Sequence, residues 1–223
     1  MRQLVAVTQL TLDGVMQAPG GPEEDPSGGF RYGGWSFPYF DEVIGEALEK
    51  AFAQPLELVL GRRTYEIFAA YWPYAEGPIA DALNSAKKYV ASRTLTSLDW
   101  SNSALLEGDV GTAVAALKEQ DGPELQVYGS SELLQTLLAH GLVDEFRLWI
   151  APVVVGPGKR LFGDDVAPSG LELVDSAVST TGVFMATYRR AGDVQTGSFA
   201  LEEPTEREIE RRQALKAEYG VAS

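Results

Sequence analysis

Three short segments carry the residue types that hold phosphate: Gly61-Arg62-Arg63-Thr64, Ser92-Arg93-Thr94 and Gly129-Ser130-Ser131. Each directly follows a short run of strand character, Leu56–Leu60, Lys88–Ala91 and Leu125–Tyr128. A glycine lets backbone approach an anion, a helix N-terminus offers free N–H groups, and arginine adds full charge in a planar fork. Each segment also has an ordinary explanation. Gly61–Thr64 reads as a plain strand-to-helix turn with two solvated arginines, Ser92-Arg93 as a polar loop, and Ser131 as a helix cap. Coincidence at three strand ends on one edge of one sheet is harder to accept. Two helix N-termini suit a pyrophosphate, and Arg63 with Arg93 suit an additional phosphate, which points to a dinucleotide bearing a 2′-phosphate. No G-x-G-x-x-G follows the first strand. Gly156-Pro157-Gly158-Lys159 is not a P-loop, because Val153 replaces the first glycine and Arg160 the Ser/Thr.

The remaining chemistry is bounded by what the 223 residues contain. With no cysteine there is no disulfide, no thiolate nucleophile and no cysteine-held metal. His140 is the one histidine, so a histidine triad or a multi-histidine metal site has nothing to build on, and no metal is expected. At the end of a leucine-rich helix, His140 reads as a partner of the helix dipole. A formal charge of −14 argues against a nucleic-acid partner, which requires a basic face. No stretch has the length and apolarity of a membrane span or a signal peptide, so a cytoplasmic protein is expected. Asp13 and Asp41 are candidate proton donors beside an ordered water; Asp41 reads equally as a charge at a helix start. Phe30, Tyr32, Trp35, Phe37, Tyr39 and Phe40 crowd into eleven residues. They either plug a core edge or wall a planar ligand, with Trp35, Phe37, Phe40 and Trp72 as substrate-facing candidates.

The elements that must position these residues alternate. Strands are expected at Gln3–Leu12, Leu56–Leu60, Lys88–Ala91, Ala104–Glu107, Leu125–Tyr128 and Glu145–Val155. Helices are expected at Tyr39–Phe52, Thr64–Tyr71, Ile79–Ser85, Val110–Gln120 and from Ser131 to His140. Alternation of this kind builds an α/β domain with a mostly parallel central sheet and helices on both faces, whose ligand lies at the carboxyl ends of the strands. Leu171–Ser176 and Val183–Arg189 suggest a closing antiparallel hairpin. The glycine- and proline-rich stretch 19–34 is a long loop of the kind that serves function. After residue 190 the composition turns to a charged helix, Thr205–Tyr219, with a thin apolar side. Two parts follow: a domain over 1–190 and an appendage over 191–223.

Thr11-Leu12-Asp13-Gly14 (TLDG), LGRRTYE, VASRTL and VYGSSELLQTLLAHGLVDEFRLWIAPVVVGPGKRLF, in that order, resemble the dihydrofolate-reductase-like superfamily. The nearest likeness is to the reductase (C-terminal) domain of the bifunctional riboflavin-biosynthesis deaminase/reductase and its stand-alone relatives. The resemblance spans roughly residues 1–190. It implies a dihydrofolate-reductase-like fold, NADPH as cofactor and hydride transfer to a small heterocyclic or sugar-linked substrate, in a homodimer. It also implies that Gly61, Arg62, Arg63 and Thr64 face the pyrophosphate and 2′-phosphate, and that Ser92 and Arg93 hold the 2′-phosphate. By the same resemblance Tyr128, Gly129, Ser130, Ser131 and Glu132 bind the pyrophosphate, and Thr8, Gly14 and Met16 lie near the nicotinamide. Two departures bear on the substrate: Val15 stands where riboflavin-pathway reductases carry lysine, and the deaminase half with its zinc cysteines is missing. A non-catalytic nucleotide-binding protein and a true dihydrofolate reductase are the alternatives.

Overall fold

Leu58, Val59 and Leu60 are all fully buried, the pattern of a strand covered on both faces. In this computed structural model, which describes residues 1–163 and 166–220, the strands are β1 (Leu4–Thr11), β2 (Leu56–Gly61), β3 (Lys88–Ala91), β4 (Ser103–Leu105), β5 (Glu124–Tyr128), β6 (Glu145–Ala151), β7 (Leu171–Val178) and β8 (Phe184–Arg190). The helices are α1 (Glu42–Phe52), α2 (Arg62–Ala69), α3 (Pro78–Ser85), α4 (Val110–Lys118), α5 (Ser131–Ala139) and α6 (Glu206–Tyr219). The strands form one sheet in the order β4-β3-β2-β5-β1-β6-β8-β7. From β4 to β6 every pairing is parallel. β8 then pairs antiparallel with β6 and with β7, closing the sheet with the expected hairpin.

Strand parity divides the core. Leu4, Ala6 and Leu10 of β1, Val59 of β2 and Val127 of β5 face Val114 and Leu117 of α4 and Leu134 and Leu137 of α5. On the other face Leu58, Leu60 and Val90 pack against Phe52 of α1, Tyr65 of α2 and Leu83 of α3. Ile44 of α1 meets Trp35, Ala151, Val183 and Met185 nearby. Each fully buried leucine contributes roughly 1.5–3 kcal/mol by removal from water. Helices therefore lie on both faces, as the alternation predicts.

The departures from the expected boundaries are local and physical. β6 stops at Ala151, not Val155, because Pro152 has no N–H for the ladder. The helix expected from Tyr39 starts at Glu42, after a 3₁₀ turn over Phe37–Tyr39 and an Asp41 cap. α2 starts at Arg62 rather than Thr64, which puts both arginines inside its first turn. The chain divides into two compact units, Met1–Asp193 and Val194 onward. Within the second, α6 is capped by Thr205 and laced by Glu208 to Arg211 and Arg212, and it buries no residue.

Candidate active site

Because β3, β2 and β5 are adjacent and parallel, their carboxyl ends lie side by side. That places Ser92-Arg93, Gly61–Thr64 and Gly129–Ser131 on one edge, in that spatial order. Ser130 joins two of them. Its Oγ accepts the Gly61 N–H at 2.8 Å and donates to Thr64 Oγ1 at 2.7 Å. Gly61 must be bare for this approach, since an added Cβ would stand 2.9 Å from Ser130 Oγ. Gly129 (φ +53°) and Ser130 (φ +60°, ψ +62°) are both left-handed immediately before α5. The chain thus turns sharply into a helix N-terminus whose first N–H groups have no partner within the helix. Ser131 opens that helix, and Glu132 is exposed in its first turn.

The arginines differ in what claims them. Arg62 pairs with Glu66 one turn along α2, at 2.9 Å, on the helix surface. Arg63 reaches out of the helix to Asp25 at 3.0 Å and Ser27 at 3.1 Å, both in the long loop. Arg93 is exposed and makes no hydrogen bond or ion pair among the described residues. Ser92 uses its hydroxyl to accept from Thr94 N at 3.1 Å and Leu95 N at 2.9 Å, which shapes the loop that presents Arg93.

Tyr128 is placed elsewhere. By strand parity its ring points to the opposite face from Val127, stacking on Phe52 with centroids 5.8 Å apart. Its hydroxyl donates to Gln126 Oε1 at 2.7 Å, and burial raises its pKa. Only its backbone belongs to the phosphate-suited edge.

On β1, Thr8 is buried with no hydrogen-bond partner for its Oγ1, on the same face as Leu10. A buried unpaired hydroxyl is costly. Gly14, at φ +81°, donates to Thr11 O, and Met16 is buried with its N–H on Lys159 O. These three residues lie on and just beyond the carboxyl end of β1, two strands from β2.

The expectation of a proton from Asp13 or Asp41 gives way to other roles. Asp13 accepts from Thr11 Oγ1 at 2.6 Å and from Gly156 N at 2.8 Å, tying the turn after β1 to the segment after β6. The Thr11 hydroxyl, with those backbone N–H groups, holds its carboxyl below the ordinary range despite the opposing cost of burial. Asp41 caps α1 through Ile44 N and accepts from Thr180 N, Thr180 Oγ1 and Thr181 N in the β7–β8 turn. The Thr180 hydroxyl is the largest cause of its pKa falling to about 2. Both carboxyls are engaged as hydrogen-bond acceptors within the fold.

A narrow cleft opens between α1 and the ends of β1 and β6. Trp35, Tyr39, Phe40 and Trp149 wall it, Gln9 supplies its amide, and its volume is about 20 Å³. Trp35 is fixed by a hydrogen bond from Nε1 to Gln17 O at 2.8 Å. Of the other aromatic candidates, Phe37 is 78% exposed and takes no part in the wall. Trp72 packs on Phe68 and Tyr71 beside α3, also outside the cleft. Gln9 and Trp149 are the additions, paired in register across β1 and β6. Their signal in the sequence is a polar residue within an apolar strand. A larger cavity of about 310 Å³ lies under the C-terminal end of α5, around Phe146 and Phe162, and contains none of the phosphate-suited residues.

Residues 2–185 match the model of the RibD C-terminal domain. The chain belongs to this family. It is 31% identical over 202 residues to the uncharacterized protein YyaP of Bacillus subtilis, covering 86% of this chain and 96% of that one. The uncharacterized protein YwjB of the same organism is 26% identical over 133 residues, covering 57% of this chain and 71% of that one. Two solved structures share the fold: a protein described as a riboflavin biosynthesis protein of Shewanella sp. PV-4 and a pyrimidine reductase-like protein of Corynebacterium diphtheriae. The first has a TM-score of 0.57 at 19% identity, covering 85% of this chain and 99% of the other. The second has 0.56 at 16%, covering 86% and 93%. The RibD C-terminal domain is the family to which the resemblance of the motifs points. Among the described residues no helix is long and apolar enough to cross a membrane.

Proposed function

We propose that the protein is an NADPH-dependent reductase that transfers a hydride to a small heterocyclic or sugar-linked substrate, in the manner of 5-amino-6-(5-phosphoribosylamino)uracil reductase. The observation that supports this most is the junction of three phosphate-suited strand ends, locked by Ser130 to Gly61 and Thr64. The residues fit such a cofactor. Backbone N–H groups at the starts of α2 and α5 suit the pyrophosphate, and unpaired Arg93 suits the 2′-phosphate. When bound, the cofactor supplies the hydride. The chain's own work is to orient the acceptor carbon and exclude water. Trp35, Tyr39, Phe40 and Trp149 would flank a planar ring, and Gln9 can donate to or accept from its edge. With Asp13 and Asp41 engaged as acceptors within the fold, the proton comes from a water.

The reading includes a homodimer. β7 ends the sheet with Leu171, Leu173, Val174 and Val178 all exposed, and a second copy would cover them. Sedimentation at micromolar concentration should give twice the chain mass; a monomer would remove this part.

Mixing the protein with NADPH and a panel of pterins, flavin precursors and quinones should reveal at least one substrate that oxidises the cofactor. A second reading, nucleotide binding without turnover, has one observation in its favour: the cleft, at about 20 Å³, is too narrow for a ring as it stands. Tight NADPH binding with no oxidation across the panel would select it. A true dihydrofolate reductase fits less well, because Asp41, a candidate proton donor, is committed to four hydrogen bonds. Methotrexate-sensitive turnover of dihydrofolate would reinstate it.

A further inference from the structure

The loop between β1 and α1 is braced internally and tied to the body of the domain at few points. Gln17 is buried; its Nε2 donates to Asp25 O and Ser27 O, and its Oε1 accepts from Lys159 N. Glu24 accepts from Gly20 N and Gly21 N, so the loop folds on itself. At its neck Gly33 passes so close to the Gly21 carbonyl that a Cβ would stand 2.5 Å from it. Among the described residues, every ion pair from residues 19–34 of this loop to the rest of the domain runs through one side chain. Asp25 Oδ2 meets Lys159 Nζ at 2.6 Å, and Oδ1 meets Arg63 Nη1 at 3.0 Å. Ser27 adds its hydroxyl to Asp25 Oδ1 at 2.6 Å and receives a bond from Arg63 at 3.1 Å.

A guanidinium, an ammonium and a hydroxyl around one pair of oxygens is a phosphate's coordination, here filled by a carboxylate of the same chain. The place matters as much as the composition. Arg63 stands in the first turn of α2, one residue before the Thr64 that Ser130 holds, and Lys159 follows the segment tied to Asp13. Both cations thus lie on the edge that carries the phosphate-suited strand ends. Arg63 Nη1 is shared between Asp25 and Ser27, so a ligand that takes this nitrogen must displace them.

We propose that Arg63 and Lys159 form an anion subsite that Asp25 occupies as an internal stand-in, so that a phosphate of the nucleotide takes Arg63 from Asp25 and releases the loop. This rests on the nucleotide reading above and adds a residue that opposes binding and sets when the loop opens. The opposite role, with Asp25 aiming Arg63 at the ligand, makes the reverse prediction.

The test compares Asp25→Asn with Glu23→Gln, which removes the same charge from an exposed neighbouring side chain. Calorimetric titration with 2′,5′-ADP and with NADPH should give about fivefold tighter binding for D25N than for E23Q, corresponding to ~1 kcal/mol. Trypsin cleavage after exposed Arg31, followed by mass spectrometry of the intact folded protein, should be several-fold faster in D25N without ligand. Affinity equal to or weaker than that of E23Q overturns the stand-in role, and an unchanged cleavage rate overturns the release of the loop. If the wild-type protein binds neither nucleotide, the nucleotide reading falls. Titration with inorganic pyrophosphate then decides the subsite: tighter binding by D25N than by E23Q sustains it, and equal binding removes it.

Discussion

Substituting Gly61 by alanine strikes the junction on which the site depends. The new Cβ would lie 2.9 Å from Ser130 Oγ and 3.0 Å from Ser130 Cβ, with Leu133 Cβ at an ordinary 3.7 Å. Its φ of −75° is open to any residue, so the entire cost is the approach, not the backbone. Forcing one methyl into a packed contact costs about 1–3 kcal/mol. Pushing Ser130 away also strains the bond from the Gly61 N–H and the bond to Thr64, each worth about 0.5–1.5 kcal/mol net. We expect G61A to lose roughly 2–3 kcal/mol of stability. Ser130→Ala leaves the Gly61 N–H without its acceptor and should cost about 1–2 kcal/mol. The two losses share a cause, so the double variant should lose about 1 kcal/mol less than their sum. Urea unfolding of the four proteins measures this, and titration of the same proteins with NADPH should show about tenfold weaker binding for each single variant. Additivity within ~0.5 kcal/mol would refute the claim that Gly61 is bare for the sake of Ser130.

Other outcomes are expected elsewhere. Thr8→Val removes a buried hydroxyl that has no partner among the described residues, so stability should hold or rise by up to ~1 kcal/mol in urea unfolding; a loss of stability would mean the hydroxyl is satisfied within the chain. Arg93→Ala should remove about tenfold of the preference for NADPH over NADH with no change in unfolding midpoint, since nothing in the described chain leans on its guanidinium. Lys88 is fully buried, 4.1 Å over the Trp100 ring, and burial lowers its pKa from 10.5 to about 8. The unfolded chain holds that proton longer, so stability should rise as pH goes from about 8 to 10.5, by up to ~3 kcal/mol. The same rise in Lys88→Met would assign it to another group. Asp41→Asn should lower the melting temperature at neutral pH. The wild-type advantage is fully present above 3.8 and should vanish as pH falls through about 2.

How much of this was legible depends on how local the cause is. The three phosphate-suited ends were readable because glycine, hydroxyl and cation cluster within four residues, and parallel alternation puts strand ends on one edge. Asp41 was legible as a charge at a helix start but not as its cap, because the helix was expected from Tyr39 and begins at Glu42. Its second role was not legible either, because Thr180 lies 139 residues away. The tie of Arg63 to Asp25, 38 residues apart, was hidden likewise, and it separates Arg63 from Arg93, which the sequence treats alike. Tyr128 was misplaced by one residue of parity: a strand sends neighbours to opposite faces, and its ring went with Gln126. Gln9 and Trp149 entered the cleft through register between β1 and β6, which no single segment encodes.

The central claim is that the edge formed by β3, β2 and β5 holds a dinucleotide with a 2′-phosphate. Calorimetric titration of the wild-type chain with NADPH and NADH side by side tests it most directly. The account predicts one site per chain, with NADPH bound at least about tenfold more tightly than NADH. Equal affinity for the two would contradict the assignment of Arg93, and no binding of either would contradict the site itself.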